Sequence, residues 1–183
     1  MRYAEVSVNS PAARRRTFSY SIPDSLSVSI GQAVLVPFGE KVLQGIVIAI
    51  SPVPAVSETR DILSIIEPEP VLSPTQISLA QWISDYYLSP LFDAVALFLS
   101  PGFERNALTY LSLTPSYERH DFSTLSPEQR QAFDIVREKE RINLKEIGKK
   151  LGKEKAQNVV AQLVRRGIFI RHYELEPVKI KPK

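Results

Sequence analysis

The sequence of 183 residues contains no cysteine and only two histidines, His120 and His172. Without cysteine it cannot form a disulfide framework, a thiolate zinc site or a cysteine nucleophile, and two histidines exclude a histidine-rich metal centre. No stretch approaches the roughly 18 uninterrupted apolar residues of a membrane span. The polar, alternating start MRYAEVSVNS is unlike a signal peptide. We therefore expect a soluble cytoplasmic protein with no membrane partner.

Charge is distributed unevenly along the chain. Residues 1–105 carry 7 basic and 10 acidic side chains, a net charge of −3, whereas residues 106–183 carry 16 and 10, a net charge of +6. A basic half joined to a nearly neutral half favours an anionic partner for the second half. A lysine-rich solvated surface has the same composition and remains the alternative.

The first seventy residues have the alternation and turn residues of short strands. Strands are predicted at 3–9, 17–22, 33–38, 42–53 and 62–67. Gly45 lies within a β-branched run, where glycine is typical of a bulge or tight bend. This spacing favours a small antiparallel, OB-like β-barrel or a sandwich over a parallel sheet.

Helices follow the strands. A capping box at Ser73–Gln76, with proline at the first helical position, predicts a helix that ends near Leu88. A second, short helix is predicted at 91–99. We expect Tyr86 and Tyr87 to pack between helix and barrel instead of forming an exposed stacking surface.

The second half begins with another capping box, at Ser126, and predicts helices at 127–140, 144–151 and 153–166, followed by β-like runs at 168–175 and 178–180. Three helices and a hairpin are the winged-helix order. The predicted fold is α+β. It comprises a small β-barrel with two packed helices (1–105), a linker (106–124) and a winged-helix domain (125–183).

The predicted third helix has a polar face opposite its apolar stripe. Lysine and arginine there can contact phosphates, and asparagine and glutamine can contact base edges. The same face could be solvated only, or could dock a protein. The candidate DNA contacts of this half are Lys145, Lys149, Lys155, Asn158, Gln162, Arg165, Arg166 and Arg171.

Four segments of the first half, in this order and spacing, carry a resemblance to a known family. They are Arg16-Thr17-Phe18-Ser19-Tyr20, the run from Gly31 to Gly39 that ends in Pro37-Phe38-Gly39, Gly45-Ile46-Val47, and the run from Trp82 to Pro90. Together they resemble the N-terminal part of the PriA family of replication restart helicases, also called primosomal protein N′. The match covers about residues 1–105, and the winged-helix pattern fits the family's next domain.

The resemblance implies that the first domain binds the 3′ end of the nascent leading strand at a stalled fork. The implied pocket residues are Phe18, Ser19 with the adjoining Tyr20, Gly39 and Arg60. Ser19 departs from the acid that is commoner in the family, which puts selectivity for the terminal nucleotide in doubt. By alternation Phe18 is also a candidate core residue.

No catalytic set is recognisable in the chain, which is expected to be a non-enzymatic fragment of an ATP-dependent 3′–5′ helicase. It needs no cofactor of its own. ATP, magnesium and cysteine-bound zinc are implied only for the missing helicase part. The implied partners are forked DNA, 3′ ends, single-strand DNA-binding protein and other primosome proteins. The expected state is a monomer at nucleoid-associated forks in the bacterial cytoplasm. The alternatives are a free-standing winged-helix transcription regulator and a protein-docking module.

Overall fold

The computed structural model describes residues 2–177. Within that range the chain forms two compact units, one of residues 2–107 with 176–177 and one of Leu108–Leu175. The domain boundaries inferred from the sequence stay a prediction. Among residues 2–177, no helix has the length and apolar character that crossing a membrane requires.

The first unit is built on a six-stranded sheet. Its strands are β1 (Arg2–Val8), β2 (Phe18–Ile22), β3 (Ala33–Phe38), β4 (Lys41–Ser51), β5 (Arg60–Asp61) and β6 (Ser64–Ile65). Their order in the sheet is β5-β2-β1-β4-β3-β6. The strand predicted at 62–67 is only partly present: within that range Ser64–Ile65 is β6, and the other short strand, β5, comes before it. The β2–β5 pair is parallel, whereas the other pairs are antiparallel.

The six-residue segment 60–65, which contains β5 and β6, reaches both edges of the sheet. Ile62 N donates to Ser21 O in β2 at 3.0 Å, and Leu63 N donates to Leu35 O in β3 at 2.9 Å. Since one short segment spans from edge to edge, the sheet curls around its inner face. The curled sheet and the helices confirm a mixed α+β fold, and the OB-like assignment stays a prediction.

Strands β3 and β4 are apolar on both faces because both faces are covered. Val36 and Val47 join the inner core of the curled sheet, whereas Ala33, Ile46 and Ile48 pack with the helices outside it. This two-sided burial explains why these strands are nearly continuous apolar runs, while β1 alternates.

Gly45 does not mark the bulge that its sequence context predicts. The β1–β4 register shifts between Glu5 and Val6, where Ile48 is skipped, and Gly45 pairs regularly with Val8. A Cβ at position 45 would lie 2.4 Å from Val6 Cγ1. The glycine therefore permits close approach of β1 and β4.

Helices α1 (Pro74–Tyr87) and α2 (Leu91–Ala96) complete the first unit. The capping box predicted at Ser73 is present, with Pro74 in the first turn. Helix α2 is shorter than predicted. Its buried Phe92 and Val95 pack with α1 against the outer face of the sheet.

The prediction that Tyr86 and Tyr87 are packed against the barrel was wrong. Trp82, Tyr86 and Tyr87 are 55%, 67% and 68% exposed, and the Trp82 and Tyr86 rings stack at 5.1 Å. The buried position in this turn is Ser84, whose hydroxyl donates to Ser89 O at 2.7 Å where the chain turns into α2. The inward side of the last turn of α1 is therefore occupied by a small serine, and the three aromatic side chains lie on its exposed side.

The second unit combines three helices with a three-stranded sheet of order β8-β7-β9. Its elements are β7 (Ala107–Leu113), α3 (Pro127–Lys139), β8 (Arg141–Asn143), α4 (Leu144–Leu151), α5 (Lys153–Arg165) and β9 (Phe169–Leu175). The caps predicted at Ser126 and Asn143 are present. The strand predicted at 178–180 lies outside the described residues, and the winged-helix assignment stays a prediction.

Helix α5 has the core-facing stripe predicted from its spacing. Ala156, Val159, Val160 and Leu163 are buried, and Val164 packs against the same core. Gly167, at φ +72°, follows the helix in the left-handed region that favours glycine. The polar face of α5 is therefore directed away from its own core.

Candidate nucleic-acid interface

All five residues that the resemblance implies in the first unit line one cavity of about 460 Å³. These residues are Phe18, Ser19, Tyr20, Gly39 and Arg60. The wall comes from β2, from the turn between β3 and β4, and from the start of β5. The loop before β5 adds Ala55, Val56 and Glu58, and the residues before β2 add Arg16 and Thr17. Curling of the sheet thus places side chains that are distant in sequence around one space.

Phe18 is both a residue packed against the core and a residue that lines the cavity. It is half-buried, packs against the inner core and also lines the cavity. Its ring meets the Phe38 ring edge-on, with centroids 5.0 Å apart and an interplanar angle of 86°. The edge contact fixes the orientation of Phe18, and the cavity-lining part of the side chain offers an aromatic surface.

Tyr20 lines the cavity from a nearly buried position. It is 4% exposed, and its hydroxyl donates to Pro37 O at 3.0 Å. Burial raises the pKa of Tyr20 to about 12, against the opposing effect of the Arg60 charge. The hydroxyl is therefore protonated at neutral pH and ties β2 to the end of β3.

Gly39 and Arg60 form one edge of the cavity. Phe38 pairs with Lys41, so Gly39 is the first residue of a two-residue turn, and its φ is +59°. No atom lies within 4 Å of the place where a Cβ would be. Arg60 Nη1 donates to Gly39 O at 2.8 Å. That bond engages one of five guanidinium N–H groups, and the side chain is exposed.

Ser19 is nearly buried and is held by two hydrogen bonds. Its hydroxyl donates to the carboxylate of Glu5, and it accepts from Ala55 N at 3.1 Å. Sequence reasoning missed Glu5 because its place beside Ser19 depends on the β1–β2 register. Thr17 and Arg16 were within reach of sequence analysis, since they adjoin Phe18 in the same motif.

The residues predicted to contact DNA from the second unit lie mainly on exposed surface. Lys155, Asn158, Gln162 and Arg165 are exposed along α5, on the side opposite its buried stripe. Lys145 and Lys149 are exposed on α4, and Arg171 is half-buried in β9. Their contact with DNA stays a prediction.

Arg166 has a structural partner. Its Nη2 donates to Thr124 Oγ1 at 2.5 Å, which ties the end of α5 to the segment before α3. Two hydrogen bonds from Ser123 and, as a smaller effect, the Arg166 charge lower the pKa of Asp121 below its usual value. Arg165 is thus the more accessible of the two neighbouring arginines.

Comparisons with known proteins agree on one family. The sequence model of the PriA 3′DNA-binding domain (3′BD) matches residues 5–100. The replication restart protein PriA of Rickettsia felis is 31% identical over 140 residues, which cover 75% of this chain and 21% of that protein. The same protein of Treponema pallidum is 30% identical over 113 residues, covering 58% and 17%, and that of Bacillus subtilis is 35% identical over 94 residues, covering 49% and 12%.

The matched region contains the whole cavity, because residues 16–60 lie within residues 5–100. The chain spans about a fifth or less of the length of these relatives, at 21%, 17% and 12%. The resemblance drawn from the four sequence segments is confirmed, and the chain belongs to the family of the PriA 3′DNA-binding domain.

Proposed function

We propose that this chain binds DNA during replication restart, and that the cavity of the first unit receives the 3′-terminal nucleotide of the nascent leading strand. The observation that carries the proposal is the meeting of Phe18, Gly39 and Arg60, which are far apart in sequence, around one cavity. The family match over residues 5–100 supports DNA as the ligand.

The chemistry of the cavity suits the end of a strand. A terminal base lacks a stacking neighbour on one side, and an aromatic side chain such as Phe18 can replace it, at about 1–3 kcal/mol per base. Arg16 and Arg60 can meet the phosphate that precedes the terminal sugar. The volume of about 460 Å³ is in the range of small-ligand sites. A bounded cavity reads an end, and so the unit can bind DNA without a strongly basic surface.

The second unit is proposed to contact the duplex arms of a fork through the exposed face of α5. Lysine and arginine on such a face bind phosphates, and Asn158 and Gln162 can reach base edges. The winged-helix assignment belongs to this proposal, as does the helicase activity of a longer protein, with its ATP, magnesium and zinc. Single-strand DNA-binding protein and other primosome proteins are proposed as its partners.

The end-reading function predicts a preference for a free 3′-hydroxyl. Binding of the chain to identical fluorescent single strands, ending in 3′-hydroxyl or in 3′-phosphate, would be measured by anisotropy. The hydroxyl end should bind more tightly, because a phosphate adds bulk and charge inside the cavity. A strand with the phosphate at its 5′ end is the control and should bind like the hydroxyl strand. Equal affinity for both 3′ ends would contradict end-reading.

A further inference from the structure

A carboxylate that the sequence motif does not include is hydrogen-bonded to the cavity wall. Glu5 in β1 lies directly opposite Ser19 in the antiparallel β1–β2 pair. Thr17 Oγ1 donates to Glu5 Oε2 at 2.9 Å, and Ser19 Oγ donates to Glu5 Oε1. Thr17 and Ser19 both line the cavity. Each oxygen of the Glu5 carboxylate therefore holds one hydroxyl proton of the wall.

These two bonds decide what the wall can offer to a ligand. A hydroxyl has one proton to donate and two lone pairs that accept. Thr17 and Ser19 have both given their protons to Glu5, and Ser19 also accepts from Ala55 N at 3.1 Å. Their remaining capacity is for accepting alone, so this part of the wall presents oxygen acceptors backed by a negative charge.

We infer that Glu5 is a positioning residue that makes the Thr17–Ser19 wall accept a hydrogen bond from the hydroxyl of a terminal sugar and reject a terminal phosphate. The inference rests on the proposed function of the cavity. A 3′-hydroxyl can donate to the wall, whereas a phosphate is an anion that mainly accepts. The carboxylate is supplied to the β2 side chains from the neighbouring strand β1.

Two other carboxylates near β2 have to be distinguished from Glu5. Glu58 lines the cavity and is exposed. Asp61 accepts from Ser21 Oγ at 2.5 Å, one step further along β2, and is not a lining residue. Glu58 could repel a phosphate by charge, but the Thr17 and Ser19 hydroxyls donate to Glu5. Asp61 is therefore the matched control for Glu5, because it also accepts from a serine hydroxyl of β2 but does not line the cavity.

The test measures the ratio of affinities for 3′-hydroxyl and 3′-phosphate strands in the full chain. Glu5→Gln should lower this ratio up to about tenfold, the effect of losing one hydrogen bond from the ligand hydroxyl to a neutral wall oxygen. The amide nitrogen would donate to one wall hydroxyl and turn that hydroxyl's proton towards the ligand. Asp61→Asn should keep the wild-type ratio, and Glu5→Gln with Ser19→Asp should restore it by placing the carboxylate on β2. Glu58→Gln measures how much the charge of a cavity-lining carboxylate contributes by itself.

The outcomes separate a failure of the proposed function from a failure of the inference about Glu5. Equal affinities of the wild-type chain would overturn the proposed function and the inference with it. A discriminating wild type with an unchanged ratio in Glu5→Gln, or a loss confined to Glu58→Gln, would overturn the inference alone. If Glu5→Gln does not fold, Thr17→Val removes a wall acceptor with little change of shape. It should weaken binding of the hydroxyl end only, and an unchanged ratio there also overturns the inference.

Discussion

At the scale of single residues, Tyr20 shows how burial in the cavity floor changes an ionisation. Its phenol is nearly buried, and burial raises its pKa to about 12. An unfolded chain exposes the same phenol with an ordinary pKa of about 10. The protonated phenol is therefore favoured by folding, and the stabilisation is fully present below about pH 10 and is lost as the pH rises towards 12.

Replacing Tyr20 by phenylalanine tests this difference in pKa between the folded and unfolded chain. Between pH 10 and pH 12 the wild-type chain should lose up to about 2 kcal/mol of stability that Tyr20→Phe does not lose. Below pH 10 the variant should be about 1 kcal/mol less stable, because the bond from Tyr20 to Pro37 O is missing. Urea unfolding of both proteins across this pH range gives the comparison. Parallel curves would mean that Tyr20 is not desolvated.

The sequence indicated which residues come together where they belong to a motif, but not where they meet only through the pairing of two strands. The family resemblance grouped Phe18, Gly39 and Arg60 as pocket residues, and all three line one cavity. Their contact with DNA stays a prediction. Glu5 was missed, since only strand pairing brings it to Ser19. The positive φ of Gly39 was also beyond sequence reasoning, and it gives a conformational reason for glycine beside the open space at that edge.

At the scale of elements, the sequence predicted helix starts more accurately than it predicted strands that depend on distant pairing. The capping boxes at Ser73 and Ser126 fix helix starts through contacts within four residues, and both are present. The strand predicted at 62–67 contains β6 but not β5, because both strands have only two residues and form through pairing with the distant strands β3 and β2. The packing predicted for Tyr86 and Tyr87 was also wrong, because the pattern along a helix does not show how far the core of the unit extends along it.

Two glycines give opposite predictions for the same substitution. Gly45→Ala should destabilise the first unit by about 1–3 kcal/mol, the usual effect of overpacking, because the new Cβ would meet Val6 Cγ1 at 2.4 Å. Gly148→Ala in α4 should stabilise its helix by up to about 1 kcal/mol, since the nearest atom would be 3.8 Å away.

Thermal unfolding separates the two effects. Fluorescence of Trp82, the one tryptophan of the sequence, reports on the first unit, and far-ultraviolet circular dichroism follows the helices. An unchanged transition for Gly45→Ala would show that β1 and β4 can move apart at that point. A loss of helix stability in Gly148→Ala would show that glycine has a further role in α4.

At the scale of the whole molecule, charge separates the halves, with a net charge of −3 in residues 1–105 and +6 in 106–183. Binding to duplex DNA should therefore be strongly salt-dependent if α5 contacts phosphates. Replacing Lys155 and Arg165 together by alanine should reduce the slope of log K against log salt by roughly two units, at about 0.9 for each phosphate contact.

The control removes the same two charges elsewhere in the second unit. Lys139 pairs with Glu146 at 3.0 Å, and Arg141 pairs with Glu174 at 2.5 Å. Alanine at both positions should leave the slope nearly unchanged, because these cations already have partners. A slope near zero for the wild-type chain would favour the protein-docking alternative for this unit.

The segment that joins β5 to β6 also bears on the order of folding. Its hydrogen bonds connect Ile62 to Ser21 and Leu63 to Leu35, across long stretches of chain. Contacts of such sequence separation carry a large loop-closure entropy and are expected to form after the β3–β4 hairpin. Arg60 reaches the cavity only once this segment has docked. A nucleotide held there would therefore bind the closed sheet alone, and its binding energy would oppose opening of the whole first unit.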